Sequence, residues 1–198
     1  MSFLEQAWAQ RCAAARDFTK QARDDFGQLA AGSIIFPPLR CENPQCMFFG
    51  RVSILANGWI GAVTSYAGVA HAPRLEVGDG TSFGQGIHLF CCSQMSIGQN
   101  VMIADHVYIT DNLHGFEDIN LPPSAQPLKV PGPVSIGDNT WVGERACIMP
   151  NVSIGRHCVI GAAAVVTKSI PDYCVVAGIP ARVIKRYDFE RQAWVRVP

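Results

Sequence analysis

The sequence has no excess of charge of either sign. Among its 198 residues, 16 are Lys or Arg and 16 are Asp or Glu, so the formal net charge is zero. The composition therefore offers neither a basic face that would attract nucleic acid nor an acidic tail. We do not expect a nucleic-acid partner, and the length favours one domain that folds without disulfides.

Long apolar runs are also lacking. No stretch of about eighteen apolar residues occurs, so no transmembrane segment is predicted, while contact with a membrane surface stays open. The eight cysteines form no repeated CxxC pairs and follow no secretory signal. We expect them to be free thiols, which is typical of a cytoplasmic protein.

What the sequence does contain is a repeat of six residues. Apolar side chains recur at this spacing, with a two-residue slip after Leu89 and a long interruption after Ile109. The twelve positions in phase are Val77, Phe83, Leu89, Ile97, Ile103, Ile109, Ile136, Val142, Ile148, Ile154, Ile160 and Val166. Neither a helix nor an alternating strand explains this regularity.

Two further positions of the repeat are restricted. Glycine directly follows the apolar residue at positions 78, 84, 98, 137, 143, 155 and 161. The fourth residue after each apolar residue is small or apolar; Thr81, four residues after Val77, and Ala146, four after Val142, are examples. A chain that turns every six residues closes a triangular coil every eighteen, and successive coils stack as parallel strands. The repeat predicts a mainly β protein, a parallel β-helix of about five triangular coils.

Segments that depart from the repeat give the predicted boundaries. Residues 1–38 form an N-terminal helical segment, because apolar residues between Leu4 and Leu29 recur at helical spacing. Residues 39–186 form the β-helix domain, whose proline-rich interruption, residues 115–135, is a protruding loop. Residues 187–198 are a C-terminal tail. We expect the helix to pack against a neighbouring subunit, with the membrane surface as the alternative.

Three local motifs accompany the repeat. Asp111-Asn112-Leu113-His114-Gly115 ends a coil before the loop, Asn139-Thr140-Trp141-Val142-Gly143 follows the loop, and Val165-Val166-Thr167-Lys168 precedes Ala177-Gly178-Ile179-Pro180-Ala181-Arg182. From about Phe48 to Arg186 the chain resembles the hexapeptide-repeat acyltransferases, which include galactoside, maltose and serine acetyltransferases. Within that family it is most similar to the branch that O-acetylates bacterial surface polysaccharides.

The resemblance implies properties that the spacing alone does not give. The β-helix is expected to be left-handed, the protein a homotrimer with active sites between subunits, and acetyl-CoA the acyl donor, with no metal required. The implied reaction transfers an acetyl group to a hydroxyl of a small-molecule or lipid-linked sugar, in O-antigen, capsule or exopolysaccharide biosynthesis. The alternatives are an N-acetyltransferase for an amino sugar, an acetyltransferase for another small molecule such as an antibiotic, and a β-helix scaffold without catalysis.

Acetyl transfer from a thioester to a hydroxyl needs a general base and hydrogen-bond donors for the developing negative charge. Histidine suits the first role, because its pKa lies near the working pH. Of the five histidines, only His114 stands at the end of a regular coil with an acid shortly before it and a long loop directly after it. We expect His114 to be the general base. Asp111 either orients the imidazole, binds the acceptor or is an ordinary turn residue, and Asn112 is a candidate for acceptor binding.

The remaining candidates follow from the family resemblance and concern the coenzyme. A tryptophan ring would flank the pantetheine arm and small residues would line its path, although β-helix corners alone also favour small residues. Two cations would face the nucleotide phosphates. Glu144 departs from the family pattern, which often has a small residue at this position. The predicted coenzyme-binding residues are Trp141, Gly143, Glu144, Gly161, Ala162, Thr167, Lys168 and Arg182.

Overall fold

The chain folds into a triangular prism of stacked parallel coils, with a helix packed against the first coil. A computed structural model describes residues 2–197; Met1 and Pro198, the outermost residues of the two predicted terminal segments, lie outside the described residues. The helix, α1, spans Phe3–Ala22. Short 3-10 turns occupy Arg23–Asp25, Pro44–Cys46 and Pro123–Ala125.

Three short strands make up each of the first four coils. The first coil contains β1 (Gln28–Leu29), β2 (Ile34–Ile35) and β3 (Leu39–Glu42), and the second contains β4 (Met47–Phe49), β5 (Ser53–Ile54) and β6 (Gly58–Ala62). A hairpin of β7 (Ser65–Tyr66) and β8 (Val69–Ala70) follows. The third coil contains β9 (Arg74–Val77), β10 (Ser82–Phe83) and β11 (His88–Cys91), and the fourth contains β12 (Gln94–Ile97), β13 (Met102–Ile103) and β14 (Tyr108–Thr110).

Two more coils follow the long interruption. The interrupting loop contains β15 (Leu113–His114) and β16 (Leu128–Lys129), which pair with each other in antiparallel orientation. The fifth coil contains β17 (Val134–Ile136), β18 (Trp141–Val142) and β19 (Cys147–Ile148), and the sixth contains β20 (Ser153–Ile154), β21 (Val159–Ile160) and β22 (Val165–Val166). The last strands are β23 (Cys174–Gly178), β24 (Ala181–Asp188) and β25 (Ala193–Arg196).

The coils stack so that each strand pairs with the equivalent strand of the next coil. The first face of the prism is the sheet β1-β4-β9-β12-β17-β20, and the third face is β3-β6-β11-β14-β19-β22. The second face is β2-β5-β10-β13-β18-β21, which β23, β24 and β25 extend beyond the last coil. Residues 187–196, which were predicted as part of a C-terminal tail, therefore belong to an antiparallel hairpin of β24 and β25 on this face.

The six-residue repeat is the core of the prism. All twelve apolar positions predicted from it are buried, none more than 4% exposed, so this prediction is confirmed. On the second face, Ile54, Phe83, Ile103, Val142 and Ile160 lie directly opposite one another on consecutive strands. Because each buried aliphatic side chain contributes about 1.5–3 kcal/mol, these stacks dominate the stability of the prism.

The glycines that follow the core positions are needed for close contact between coils. A Cβ atom on Gly98 would lie 2.8 Å from the backbone nitrogen of Asp138, and one on Gly137 would lie 2.5 Å from that of Arg156. Left-handed backbone occurs two residues after these glycines, as at Asn100 with a φ of 53°. The sharp turn thus lies two residues later than the glycine pattern indicates, where asparagine and histidine tolerate it.

The structure has six coils, one more than the five predicted. The additional first coil begins at Gln28, within residues 1–38 that the sequence assigned to the helical segment, because α1 already ends at Ala22. Leu29, Ile35 and Cys41 keep the six-residue spacing and pair with the second coil. No glycine follows any of the three, and the helical spacing that runs to Leu29 concealed this coil.

Helix α1 is docked on the first coil by its C-terminal half. The Thr19 hydroxyl accepts a hydrogen bond from the backbone N–H of Ile35 at 2.7 Å and donates to the carbonyl of Ala15 at 2.6 Å. In the N-terminal half, Leu4 is 76% exposed and Trp8 is 53% exposed. Contact of this half with a neighbouring subunit stays a prediction. Within residues 2–197, no helix combines the length and apolar character needed to cross a bilayer.

Candidate active site

The turn after β14 is built around the buried carboxylate of Asp111. Its Oδ1 atom accepts hydrogen bonds from the backbone N–H of Cys92 at 2.8 Å and from the Asn112 amide at 3.1 Å. Its Oδ2 atom accepts from the backbone N–H and the hydroxyl of Ser93 at 2.7 and 2.9 Å. These bonds tie the turn to the preceding coil and fix where the loop leaves the prism. Among the described residues, no hydrogen bond joins Asp111 to His114.

Strand β15 then carries His114 away from the prism. His114 lies opposite Leu128 of β16, so the returning arm of the loop runs alongside it. Gly115 permits this approach, because a Cβ atom there would lie 2.6 Å from the carbonyl oxygen of Pro127. The glycine of the predicted His-Gly motif is therefore explained by the pairing of the two arms.

The rest of the loop is organised by the side chain of Gln126, which is 5% exposed. Its Nε2 atom donates to the carbonyls of Asp118 and Leu121 at 2.9 and 3.0 Å, and its Oε1 atom accepts from the Asp118 N–H at 3.1 Å. An ion pair between Lys129 and Glu117 joins the two arms near β16. Although proline-rich and outside the repeat, the loop thus has its own hydrogen-bonded centre.

The His114 side chain is exposed and lies next to the ring of Tyr66. The Tyr66 ring lies 5.3 Å from the imidazole, centroid to centroid, with an angle of 62° between the rings. Tyr66 belongs to the hairpin β7–β8, which the sequence did not distinguish from a linker. No residue in the range 2–197 hydrogen-bonds the imidazole, and His114 lines the adjoining cavity.

A cavity of about 480 Å³ adjoins His114 on the third face of the prism. The residues that line it include Trp59, Tyr66, His88, Tyr108, Asn112 and His114. Sequence reasoning found Asn112 and His114 but missed the aromatic residues. A signal for them existed: Trp59, His88 and Tyr108 each directly precede a core position of the third face, where the side chain points outward.

A larger groove, of about 630 Å³, lies on the first face. Phe48, Arg74 and Ser96 are among its lining residues, and no described residue that lines it is a histidine or a cysteine. Its carboxylates, Glu76, Asp79 and Asp138, are already bonded to Arg74 or to backbone N–H groups. The smaller cavity, which is lined by an imidazole without a hydrogen-bond partner among the described residues, is therefore the candidate active site.

The cysteines next to this site are not candidate nucleophiles. Burial, and then the nearby charge of Asp111, raises the pKa of Cys92 to about 12. Burial is also the main cause of a raised pKa at Cys91. Both thiols are therefore protonated at neutral pH, and a protonated buried thiol is inert.

The predicted coenzyme-binding residues do not share the cavity of His114. Trp141 lies on the second face between Met102 and Val159, and it is 47% exposed. Among the other predicted residues, Gly143 and Glu144 follow β18, and Gly161 and Ala162 follow β21 at the same corner of the next coil. Thr167 and Lys168 lie in the turn after β22, and Arg182 lies on β24. Within a single chain, the structure places Trp141 and His114 on different faces.

Packing between coils accounts for the two glycines in this set. A Cβ atom on Gly143 would lie 2.7 Å from the backbone nitrogen of Ala162, and one on Gly161 would lie 3.1 Å from the carbonyl oxygen of Val176. Their contact with a coenzyme stays a prediction, because the corner geometry alone requires glycine at 143 and favours it at 161.

Three of the predicted coenzyme-binding residues are charged, and two of them are accessible cations. Glu144 is paired with its neighbour Arg145 at 3.3 Å, so this unusual acid is locally neutralised. Lys168 is exposed and forms no ion pair within the described part of the chain, while Arg182 donates one hydrogen bond to the carbonyl of Ala181 at 2.9 Å. Both side chains can therefore reach a phosphate group.

The two coils without insertions match a known family of repeats. Residues 133–168, which make up the fifth and sixth coils, match the family described as bacterial transferase hexapeptide (six repeats). The match covers these two coils and not the rest of the chain. The recognition made from the repeat and its three motifs is confirmed.

Two curated relatives are similar to this hexapeptide-repeat protein. The putative lipopolysaccharide biosynthesis O-acetyl transferase WbbJ of Escherichia coli K12 is 36% identical over 115 residues, 54% of this chain and 58% of the relative. Galactoside O-acetyltransferase of the same organism is 40% identical over 96 residues, 46% of this chain and 43% of the relative. The chain thus spans about half the length of the curated relatives it matches.

The hexapeptide-repeat protein also shares its fold with a solved structure. AntD, an N-acyltransferase from Bacillus cereus in complex with dTDP and 3-hydroxybutyryl-CoA, superposes with a TM-score of 0.73 at 18% identity, covering 89% of this chain and 90% of AntD. At this identity the likeness concerns the fold alone. The fold is a left-handed parallel β-helix, as expected from the family resemblance.

Proposed function

We propose that the protein is an acetyl-CoA-dependent acyltransferase that acetylates a sugar hydroxyl, with His114 as general base. The observation that carries the proposal is the placement of His114, an exposed imidazole beside a cavity of about 480 Å³, where the loop interrupts the hexapeptide coils. The names of the two O-acetyltransferase relatives support the same chemistry.

In this reaction His114 moves one proton. Its imidazole accepts the proton of the acceptor hydroxyl while the hydroxyl oxygen attacks the acetyl carbonyl, and the imidazolium then returns the proton to the thiolate that leaves. One C–O bond forms and one C–S bond breaks. Acetyl-CoA supplies the activated acetyl group. A positioned general base of this kind contributes about 100-fold to 10,000-fold in rate.

Asp111 acts in this scheme as a positioning residue. Its oxygens accept the bonds from Cys92, Ser93 and Asn112, so it holds the turn from which His114 projects. Asn112 lines the cavity, and its amide nitrogen donates to Asp111 Oδ1 at 3.1 Å. Asn112 Oδ1 is then left to accept a hydrogen bond from a hydroxyl of the acceptor.

The coenzyme site is completed by a second copy of the chain. Trp141 offers an exposed ring, and Lys168 and Arg182 offer accessible cations for phosphate, but all three lie away from His114 within one chain. Hexapeptide-repeat acetyltransferases are generally trimeric. We therefore place Trp141 and the cations of one subunit beside His114 of the next, with the coenzyme between them.

The test is a thiol-release assay on the full chain, with acetyl-CoA and a panel of neutral glycosides, amino sugars and small-molecule acceptors. His114→Ala is expected to reduce turnover about 100-fold to 10,000-fold. The control is His106→Asn, at an exposed corner with a φ of 56° that asparagine also tolerates. Undiminished turnover by His114→Ala would remove the mechanism, and acetylation of amines alone would make the protein an N-acetyltransferase.

We place the reaction in the cytoplasm, on a sugar destined for a surface polysaccharide. All eight cysteines are free thiols, in keeping with a reducing compartment. The acceptor is either a small sugar or one carried on a lipid. Acetylation of a detergent-solubilised lipid-linked oligosaccharide, compared with acetylation of the free sugar, distinguishes the two.

A further inference from the structure

Two insertions leave the prism at the same edge of the third face. The hairpin β7–β8 follows β6, the long loop follows β14, and β11 lies between these two strands. The carbonyl of Cys91, at the end of β11, accepts a hydrogen bond from the N–H of Val63, just before the hairpin, at 2.8 Å. The next residue, Cys92, donates its N–H to Asp111, just before the loop. The stacking of three coils therefore fixes the position of the hairpin relative to the loop.

A tight turn sets the direction of the hairpin. Its two strands are joined by Ala67 and Gly68, whose φ angles are 45° and 79°, and Tyr66 pairs with Val69 across the turn. Two consecutive positive φ angles are typical of the type I′ turn, which matches the twist of the flanking strands. Alanine adopts such a φ only at a cost, and a backbone of this kind persists where the surrounding structure holds it. The backbone of the hairpin thus determines where Tyr66 points.

Tyr66 supplies the contact that the His114 imidazole otherwise lacks. The half-buried Tyr66 ring meets the imidazole in the edge-to-face manner, with 5.3 Å between the centroids. Among residues 2–197, none gives this imidazole a hydrogen bond or an ion pair, and the Asp111 carboxylate is bonded to other groups. Pairing of β15 with β16 fixes the backbone of His114 but leaves its side-chain torsions free. Without a neighbour, an exposed imidazole of this kind samples several rotamers.

The contact is made by the Tyr66 ring and not by its hydroxyl. No residue in the described part of the chain hydrogen-bonds this hydroxyl. In an edge-to-face pair, the positive edge of one ring meets the electron-rich face of the other, so the attraction needs no hydroxyl. Phenylalanine at position 66 would therefore keep the contact with His114, whereas an aliphatic residue would lose it.

We propose that Tyr66 is a positioning residue for His114, whose ring holds the imidazole in the orientation in which it faces the cavity of about 480 Å³. Asp111 fixes the turn from which His114 projects, and Tyr66 fixes the imidazole itself. A general base that is already oriented loses no rotamer freedom in the reaction, so the contribution of Tyr66 belongs to kcat and not to the binding of acetyl-CoA. The inference rests on the proposed function, and it gives the hairpin β7–β8 a role in that reaction.

The kinetic experiment compares Tyr66→Leu, Tyr66→Phe and Val69→Ala in the full chain, with acetyl-CoA and an acceptor identified by thiol release. Tyr66→Leu removes the ring and is expected to lower kcat roughly tenfold, with the KM for each substrate within about twofold of the wild type. Tyr66→Phe keeps the ring and should restore kcat to within about threefold of the wild type. Val69→Ala is the matched control, because it alters the other strand of the hairpin, at a side chain that is 40% exposed, and leaves the ring in place. It should change neither kcat nor KM.

Three kinetic outcomes would overturn the inference. An unchanged kcat in Tyr66→Leu would mean that the ring does not orient His114. An equal loss of kcat in Tyr66→Phe and Tyr66→Leu would make the hydroxyl the acting group, and a raised acceptor KM with unchanged kcat would make Tyr66 a substrate contact. Denaturant unfolding checks that each variant is folded; if Tyr66→Leu is not, Tyr66→Val, which suits a strand and also lacks a ring, replaces it with the same expectation.

Nuclear magnetic resonance separates this inference from the proposed function, because it reports the mobility of the imidazole without turnover. In a chain with carbon-13 in its histidine rings, His114→Ala identifies the His114 signal, and the exposed His106 is the internal reference. The order parameter of the His114 ring is expected to fall in Tyr66→Leu and to stay at the wild-type value in Tyr66→Phe and Val69→Ala. Acetyl transfer by the wild type, with an order parameter that does not depend on Tyr66, would refute only the inference. Tyr66-dependent order without any transfer from acetyl-CoA would support the ring contact and refute the proposed function.

Discussion

The fifth and sixth coils follow the same six-residue repeat as the second to fourth coils. Insertions leave the prism only after the second and fourth coils, whereas the fifth and sixth coils run without insertions. From β17 to β22 every core position follows the last at a spacing of six residues, and this stretch alone matches the hexapeptide family. Between β6 and β17, the hairpin β7–β8 and the loop containing β15 and β16 leave the prism. The two regions share one core yet differ in what lies outside it.

The difference teaches that stability and chemistry are carried by different parts of the repeat. Inward positions are filled by apolar residues in every coil, so their ladders hold the prism whatever stands outside. The insertions contribute Tyr66 and His114, and the outward residues Trp59, His88 and Tyr108 beside them line the same cavity. Changes at inward positions should therefore alter stability, and changes at outward positions and in the insertions should alter activity.

The largest effect on stability is expected from a core position of the regular region. Ile148 is fully buried between Ile109 and Val166, and Ile148→Ala should cost about 2–5 kcal/mol in the free energy of unfolding, because it leaves a cavity. Ile148→Val is the graded control, at about 0.5–1.5 kcal/mol. Denaturant unfolding measures both, and equal costs would mean that the ladder is not tightly packed.

Substitution of Asp111 should affect both stability and activity, because Asp111 anchors the largest insertion to the prism. Asp111→Ala leaves the N–H groups of Cys92 and Ser93 without their acceptor and should cost about 3 kcal/mol. Asp105→Ala, which removes a similar bond to the Gln85 N–H at a less buried corner, should cost about 1 kcal/mol. A pH–rate profile of Asp111→Asn tests its orienting role: a profile shifted with unchanged stability would mean that Asp111 acts on His114 directly.

A smaller, local effect is expected from Gln126 inside the loop. Gln126→Ala removes the bonds to Asp118 and Leu121, so the loop should lose order and turnover should fall roughly tenfold, with a change in unfolding free energy of about 1 kcal/mol. Gln126→Glu is the matched variant, because it keeps the acceptor for the Asp118 N–H and loses the two donated bonds. Unchanged turnover in Gln126→Ala would show that the loop does not position His114.

The smallest effect concerns the pH dependence of stability at His88. Burial lowers the pKa of this imidazole below its ordinary value of 6.5, so between the two values the unfolded chain binds more protons than the folded chain. Stability must then fall as the pH drops through 6.5. His88→Phe should reduce the loss of Tm between about pH 7.5 and about pH 5.5, whereas His106→Asn should not. An undiminished loss in His88→Phe would assign the dependence to other groups.

The sequence predicted the prism and its long loop, but it did not predict that the first coil of the prism begins at Gln28. The twelve core positions could be predicted because six-residue spacing is a local property, legible without knowing which strands pair. The first coil was missed because Leu29, Ile35 and Cys41 lack the following glycine, and apolar residues of α1 run into the same stretch. At the site, His114 and Asn112 could be named from their position before the loop. Trp59, His88 and Tyr108 could be predicted to point outward, but not to form one row beside His114.

The sequence by itself determined which residues face inward, since each coil repeats the same short pattern and burial selects the apolar members. Only the tertiary structure decided which outward residues meet. Trp59, His88 and Tyr108 come from three coils separated by stretches of unequal length, so their common row depends on the register between coils. The partners of Asp111 were likewise beyond the sequence, because they belong to the preceding coil and become neighbours only when the coils stack.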